Sequence, residues 1–314
     1  MRLMIYLFAT ACFVAYLPTE LGAAPPTPAP TIATPKNEPI QVRTGLYLLN
    51  LGRLDTVTGT FTADFYISFE CDKPCDTSQF EFENGRATSV DNQGVTPTRQ
   101  DYRVIGNYNA AIDLKSYPFD KHKLDIVVEE KRQTEDQLIY QPDARFNGID
   151  PNVIVSGWQL VGWDTRVSKH YYPNFDETYS RYEFFITIRR GILEAVLKAL
   201  LPAFFIVVGG FLGFLLGPDK TIQRLTINTG ALTGAILFHV NLTSQVPSVG
   251  ALTYADKFMI VNYVGLVAAL LSTVFIMIFE DEKRDTVAIR LHRGTRFTIP
   301  IIWVLLQAVV ALTM

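Results

Sequence analysis

Two periods divide the chain. Between residue 40 and about residue 190, polar and apolar positions alternate. In Thr60 to Glu70, Phe61, Ala63, Phe65, Ile67 and Phe69 fall on one side, with Thr60, Thr62, Asp64, Tyr66, Ser68 and Glu70 on the other. Successive side chains leave a strand on opposite faces, so this run predicts a half-buried strand. Leu124, Ile126 and Val128 repeat the pattern, as do Tyr182, Phe184, Ile186 and Ile188, and the clusters Asn84-Gly85, Asn92-Gln93-Gly94 and Asn147-Gly148 read as turns between runs. Many short strands with polar turns predict an extracellular antiparallel β-sandwich over 39–190.

Beyond Arg190 the alternation gives way to long apolar runs. Ala199 to Pro218, Leu225 to Ala255, Phe258 to Phe279 and Phe297 to Met314 carry no Asp, Glu, Lys or Arg. Each has about the length a helix needs to cross a hydrocarbon core of about 30 Å. The region 191–314 is therefore expected to be a four-helix transmembrane domain. The connection over 280–296 carries Lys283, Arg284, Arg290, Arg293 and Arg296, which suits a short cytoplasmic loop under the positive-inside rule.

The second apolar run has unusual content. On a helix Thr226, Gly230, Thr233, Leu237, Val240 and Ser244 share one stripe, while Leu232, Ala235 and Leu242 face away. Small and hydroxylic residues in register fit a water-lined pore, with Leu237 and Val240 as a constriction that can lose its water and so gate it. Ordinary helix packing, with Gly230 and Gly234 as spacers, reads the same stripe equally well. One helix cannot enclose water, so the pore reading implies a cyclic homo-oligomer. Gly209, Gly213 and Gly217 in the first run suggest close helix packing there.

At the start of the chain, Arg2, the apolar stretch Met4 to Leu17 and the small residues Gly22, Ala23 and Ala24 read as a signal peptide over 1–23. A Pro/Thr-rich lead-in follows over 24–38. Export leaves Cys71 and Cys75 as a pair, for which a disulfide is the favoured reading over free thiols or half of a metal site. With 28 Lys+Arg against 31 Asp+Glu, the chain lacks the basic excess of a nucleic-acid-binding surface. His122, His170, His239 and His292 are scattered, and no phosphate loop or nucleophile elbow is present. No catalytic residue, cofactor or metal is expected.

Several further residues carry a resemblance. Tyr117-Pro118-Phe119-Asp120, Arg189-Arg190 before the first span, Pro202 within it, and Pro247 followed nine residues later by Asp256 resemble the pentameric ligand-gated ion channels, the Cys-loop receptor superfamily. Thr44-Gly45-Leu46-Tyr47-Leu48, Ser156-Gly157-Trp158 and Thr253-Tyr254 are similar to the prokaryotic, proton-gated branch, and the likeness covers residues 40 to 314.

The resemblance implies four identical partner subunits, a multi-pass location in a bacterial-type inner membrane with the sandwich outside, a small extracellular ligand or ion as stimulus, and permeating ions with cations favoured. It puts Asp219 and Arg224 at the cytoplasmic pore mouth. Coupling between the domains would fall to Asp55, Pro118, Asp120, Arg190 and Pro247, with the arginine bridging carboxylates from two loops. Ligand would be held near Tyr171, Tyr172, Phe175 and Tyr179, with Glu130 and Arg132 on the neighbouring loop. The family's loop cysteines fall on Ala110 and Leu124, and an acidic position of the proton-gated branch is Gly59 here. The competing function class is a membrane-anchored binding or adhesion protein whose helices only tether and associate.

Overall fold

The structure is a computed structural model that describes residues 38–244, 246 and 250–312. The expected signal peptide, nearly all of the lead-in, and Pro247 lie outside the described residues.

Ten strands come first: β1 (Ile40–Leu51), β2 (Thr60–Cys71), β3 (Phe80–Phe82), β4 (Gly85–Val95), β5 (Arg99–Asn109), β6 (Lys121–Glu130), β7 (Leu138–Pro142), β8 (Gly148–Ile149), β9 (Trp158–Tyr172) and β10 (Glu177–Arg190). One sheet runs β4-β5-β2-β1-β7 with β8 also on β1, and the other runs β3-β6-β10-β9. The side chains that alternate inward, among them Phe61, Phe65, Ile67 and Phe69 from one sheet and Leu124, Ile126, Phe184 and Ile186 from the other, form one core between the layers. Most pairings are antiparallel, but β7 and β8 run parallel to β1.

One turn expectation changes in the folded chain and another holds. Asn92-Gln93-Gly94 lies inside β4, where the register with β5 slips between Asn92 and Gly94, so the glycine marks a bulge. Asn84-Gly85 joins strands of different sheets, and the Asn84 side chain donates to the Asn109 and Asp125 carbonyls while accepting from Val127 N. Cys71 and Cys75 are bonded as a disulfide that closes the loop after β2.

Four long helices follow: α1 (Ile192–Leu215), α2 (Thr221–Thr243), α3 (Tyr254–Asp281) and α4 (Asp285–Ala311), each long and apolar enough to cross a membrane. Only Glu282, Lys283 and Arg284 separate α3 from α4. The loop expected over 280–296 is thus mostly helix, since its basic residues extend α4 beyond the apolar run instead of interrupting it. Lys283 adopts φ 57°, the left-handed conformation that ends a helix.

The glycine packing expected in α1 holds at Gly213, where a Cβ would lie 3.4 Å from Asn228 Oδ1 on α2, and fails at Gly209. A Cβ on Gly209 would meet open space, whereas one on Gly210 would come within 2.5 Å of Leu266 Cδ2 on α3 and 3.0 Å of Ala231 Cβ on α2. Gly210 is the point where three helices approach one another.

Candidate functional site

Helix α2 has two unlike faces. Arg224, Asn228, Ala235 and Leu242 are buried against the rest of the chain, whereas Thr226, Gly230, Thr233, Leu237, Val240 and Ser244 are all exposed. Leu237 and Val240 keep 66% and 61% of their surface, a large apolar exposure beside hydroxylic neighbours. The hydroxyls are not all waiting for water. Thr226 donates to the Ile222 carbonyl at 3.0 Å and Ser244 to the Asn241 carbonyl at 2.7 Å, the back-bonding that lets such residues sit in a helix without a partner. Thr233 makes no such bond.

Arg224 departs from expectation. It is fully buried, with Nη1 3.3 Å from His292 Nδ1 on α4 and its guanidinium 5.8 Å from the Phe214 ring. Its position in the sequence, half a turn from Thr226, points it into the protomer and away from the stripe. At this end of the exposed face stand Asp219 and Lys220, which pair at 3.4 Å just before α2.

The junction between sandwich and helices is built around Asp120. Arg190, the last residue of β10, donates through Nε to Asp120 Oδ1 at 2.8 Å and through Nη2 to Oδ2 at 3.1 Å, and its backbone N–H bonds the Asp120 carbonyl. His122 Nε2 reaches the same Oδ2 at 2.7 Å. Trp158 and Tyr117 offer ring faces 4.4 and 5.2 Å from the Arg190 guanidinium, so the cation is both paired and stacked. Burial alone would raise the Asp120 carboxyl, but the hydrogen bonds from His122 and Arg190, with the Arg190 charge, hold it down at about 2. Among the described residues this pair joins the last strand to the loop before β6.

The second carboxylate that the resemblance gives to Arg190 is elsewhere. Asp55 turns back on its own loop, accepting from Val57 N at 2.8 Å and Thr58 Oγ1 at 3.0 Å. It shares with Arg190 a cavity of about 540 Å³, also lined by Arg53, Trp158 and Ser244, but does not bond it. Pro118 lines a smaller cavity of about 240 Å³ with Arg190, Lys198 and Asn241. Gly59, at the end of this hairpin, has φ 75°, and a Cβ there would lie 2.4 Å from the Ala110 carbonyl oxygen. The acidic residue of the proton-gated branch could not stand here without moving the backbone.

The hairpin between β9 and β10 gathers phenols and carboxylates. Tyr172 donates to Glu83 at 2.9 Å, Tyr171 to Asp176 at 2.9 Å and Tyr179 to Glu177 at 2.6 Å, while Phe175 stands exposed at the tip. Arg181 bridges the group, bonding Glu129 at 2.9 Å and the Tyr172 hydroxyl at 3.3 Å.

Glu130 is not among them. One residue further along β6 it falls on the inner face and is buried, with Oε2 unpartnered. Burial pushes its carboxyl up to about 7; a backbone bond from Arg132 and that residue's charge offset part of the rise, while Asp76 and Glu81 add to it. Arg132 itself is exposed on the loop after β6. Glu83, Glu129 and Arg181 belong to the hairpin group in place of Glu130. The alternation of Leu124, Ile126 and Val128, continued two residues, already places Glu130 inward.

No protein-family model matches the chain. The chain is 20% identical to a proton-gated ion channel of Gloeobacter violaceus, across 94% of this chain and 88% of that one. It is 23% identical to the rat 5-hydroxytryptamine receptor 3A over 57% of this chain and 38% of the receptor. With ligand-gated ion channel 50 of Caenorhabditis elegans it shares 21% identity over 59% of this chain and 37% of the worm protein. It thus spans less than half the length of the animal relatives and most of the bacterial one. With a sandwich of two sheets leading into four membrane-length helices, the chain resembles the pentameric ligand-gated ion channels, and it matches a bacterial proton-gated member over nearly its whole length.

Proposed function

We propose that the chain is one subunit of a homopentameric ion channel, opened by an extracellular stimulus that shifts a closed–open equilibrium. The observation that carries the reading is the exposed face of α2. An isolated protomer leaves Leu237 and Val240 two-thirds uncovered on the helix that also presents Thr226, Thr233 and Ser244. Five such faces around an axis make a wet pore with an apolar ring that can shed its water. The gate is assigned to Leu237 and Val240, and the inner mouth to Asp219. Arg224 is withdrawn from it, because a side chain buried beneath α2 cannot meet a permeating ion.

The stimulus is read at the β9–β10 hairpin, where Tyr171, Tyr172, Tyr179 and exposed Phe175 stand beside Glu83 and Glu129. Phenol faces with carboxylates behind them suit a small cation. Asp120 and Arg190 carry the change across the junction, and the coupling role extends to Pro118 and Pro247. Asp55 and Arg132 have weaker claims, one folded onto its own turn and the other lacking an aromatic neighbour in the group.

One observation favours the tether reading: Thr226 and Ser244 satisfy their hydroxyls within their own helix, so lipid would tolerate them. Reconstituted protein in planar bilayers distinguishes the two. Acid steps and 5-hydroxytryptamine are applied, and reversal potentials are read under shifted salt gradients. A channel conducts, and replacing Thr226 and Thr233 together with Leu cuts unitary conductance by about tenfold or more, since the wet face has been closed. A tether stays silent under every condition and is indifferent to the replacement.

A further inference from the structure

Helix α2 is bonded directly to the end of α3 that the sandwich caps. His239 lies between Leu237 and Val240 in sequence but off the exposed face. Its Nε2 donates to Asp256 Oδ1 at 3.0 Å, and its Nδ1 stands 2.9 Å from the Tyr263 hydroxyl, both partners on α3. With the proton on Nε2, Nδ1 accepts from the phenol, and both ring nitrogens are used.

Asp256 acts twice. Its Oδ2 accepts from Thr253 N and Thr253 Oγ1, each at 2.8 Å, while Thr253 Oγ1 accepts from Asp256 N at 3.1 Å. This capping box fixes the first turn of α3. The two donors between them reach outward. Tyr254 N bonds the Lys115 carbonyl at 2.8 Å and Ala255 N the Tyr117 carbonyl at 3.0 Å, both on the loop that ends at Asp120. The same helical turn therefore holds the sandwich loop by its backbone and the second helix by one carboxylate oxygen.

We infer that His239 is a positioning residue: it locks the outer half of α2 to the capped end of α3, so that a displacement of the 113–120 loop reaches Leu237 and Val240 through the His239–Asp256 bond. The inference rests on α2 being the pore helix. Helix packing alone would hold the two helices together without selecting their rotation. A bond from one ring nitrogen to one carboxylate oxygen selects it, because α2 cannot turn about its axis without breaking that bond.

The test uses the full chain in phosphatidylcholine vesicles with Val240→Cys, the described native cysteines being tied up as a disulfide. The rate of modification by a water-soluble methanethiosulfonate reagent reports how residue 240 faces the aqueous axis. His239→Ala changes that rate about tenfold, and adding it to Asp256→Ala changes the rate no further than Asp256→Ala alone, because one bond is removed only once. His239→Gln, whose Nε2 still donates, stays within about twofold of the parent. His239→Phe, which keeps a ring and removes both of its nitrogens, replaces His239→Ala in the cycle if the alanine variant does not assemble. Unchanged rates, strictly additive effects, or a glutamine variant that behaves like alanine overturn the inference. Recordings from the parent protein under acid steps and 5-hydroxytryptamine separate the two claims: a silent parent defeats the channel reading, while the thiol rates still decide the role of His239.

Discussion

Glu130 is a carboxylate that folding has taken out of water while leaving one of its oxygens without a partner. Its folded value of about 7 lies above its ordinary 4.5, so the folded chain binds a proton there more readily than the unfolded one. The stability this gives is fully present below about pH 4.5 and is lost as pH rises through about 7. Glu130→Gln keeps the shape and removes the charge. Its melting temperature should be flat across that window and exceed the parent's by several degrees above it, measured by tryptophan fluorescence of the solubilised full chain. A parent protein equally stable at both ends would mean the carboxylate finds a partner in solution. The inward side of this residue was legible in the strand alternation. Its unpaired oxygen was not, because whether a buried acid finds a donor depends on side chains brought in from the other sheet, and there the Tyr140 hydroxyl is left without a partner as well.

Among the helices, spacing predicted the right kind of contact at Gly213 and missed the tighter one at Gly210. Three glycines four apart, Gly209, Gly213 and Gly217, made a plausible packing face. The buried positions Ala203, Val207, Gly210 and Gly213 share the face that meets the other helices, and Gly209 stands about a quarter turn away from it. Gly210→Ala should therefore cost about 1–3 kcal/mol, because its methyl would overlap Leu266 and crowd Ala231 in a filled interior. Gly209→Ala, with open space around it, should leave thermal stability unchanged or raise it by up to about 1 kcal/mol. The two variants differ by one position, so equal melting temperatures would refute the packing. The exposed stripe of α2 was legible for the converse reason. It is a regular helix from Thr221 to Thr243, and a regular helix keeps sequence register and spatial register in step. Arg224 was misplaced only because its position was taken from the family's pore mouth instead of from the same helical wheel.

For the whole molecule, the decisive question is how a sandwich and a helix bundle that share few bonds can act as one. Asp120 and Arg190 meet where β10 leads into α1, and the carboxylate is fully buried. Removing one partner of such a pair strands the other, which is far costlier than losing an exposed ion pair. Asp120 is held at about 2 against an ordinary 3.8, so the pair's contribution is present above about pH 3.8 and fades only as pH falls toward 2. An acid stimulus in a milder range leaves it intact and must act on another group. Because His122 still partners the Asp120 carboxylate, Arg190→Ala should behave as an uncoupled channel: surface assembly as in the parent, seen by cross-linking and by elution of the oligomer, with currents reduced at least about tenfold at every stimulus. Asp120→Asn, which can still accept one bond from the guanidinium, should lie between the two. Parent-like currents from Arg190→Ala would place the transmission elsewhere, and the described routes left between the domains would include the backbone bonds from Tyr254 and Ala255 to the 113–120 loop and the packing of Leu114 and Tyr117 against Ala199, Leu242 and Ala255.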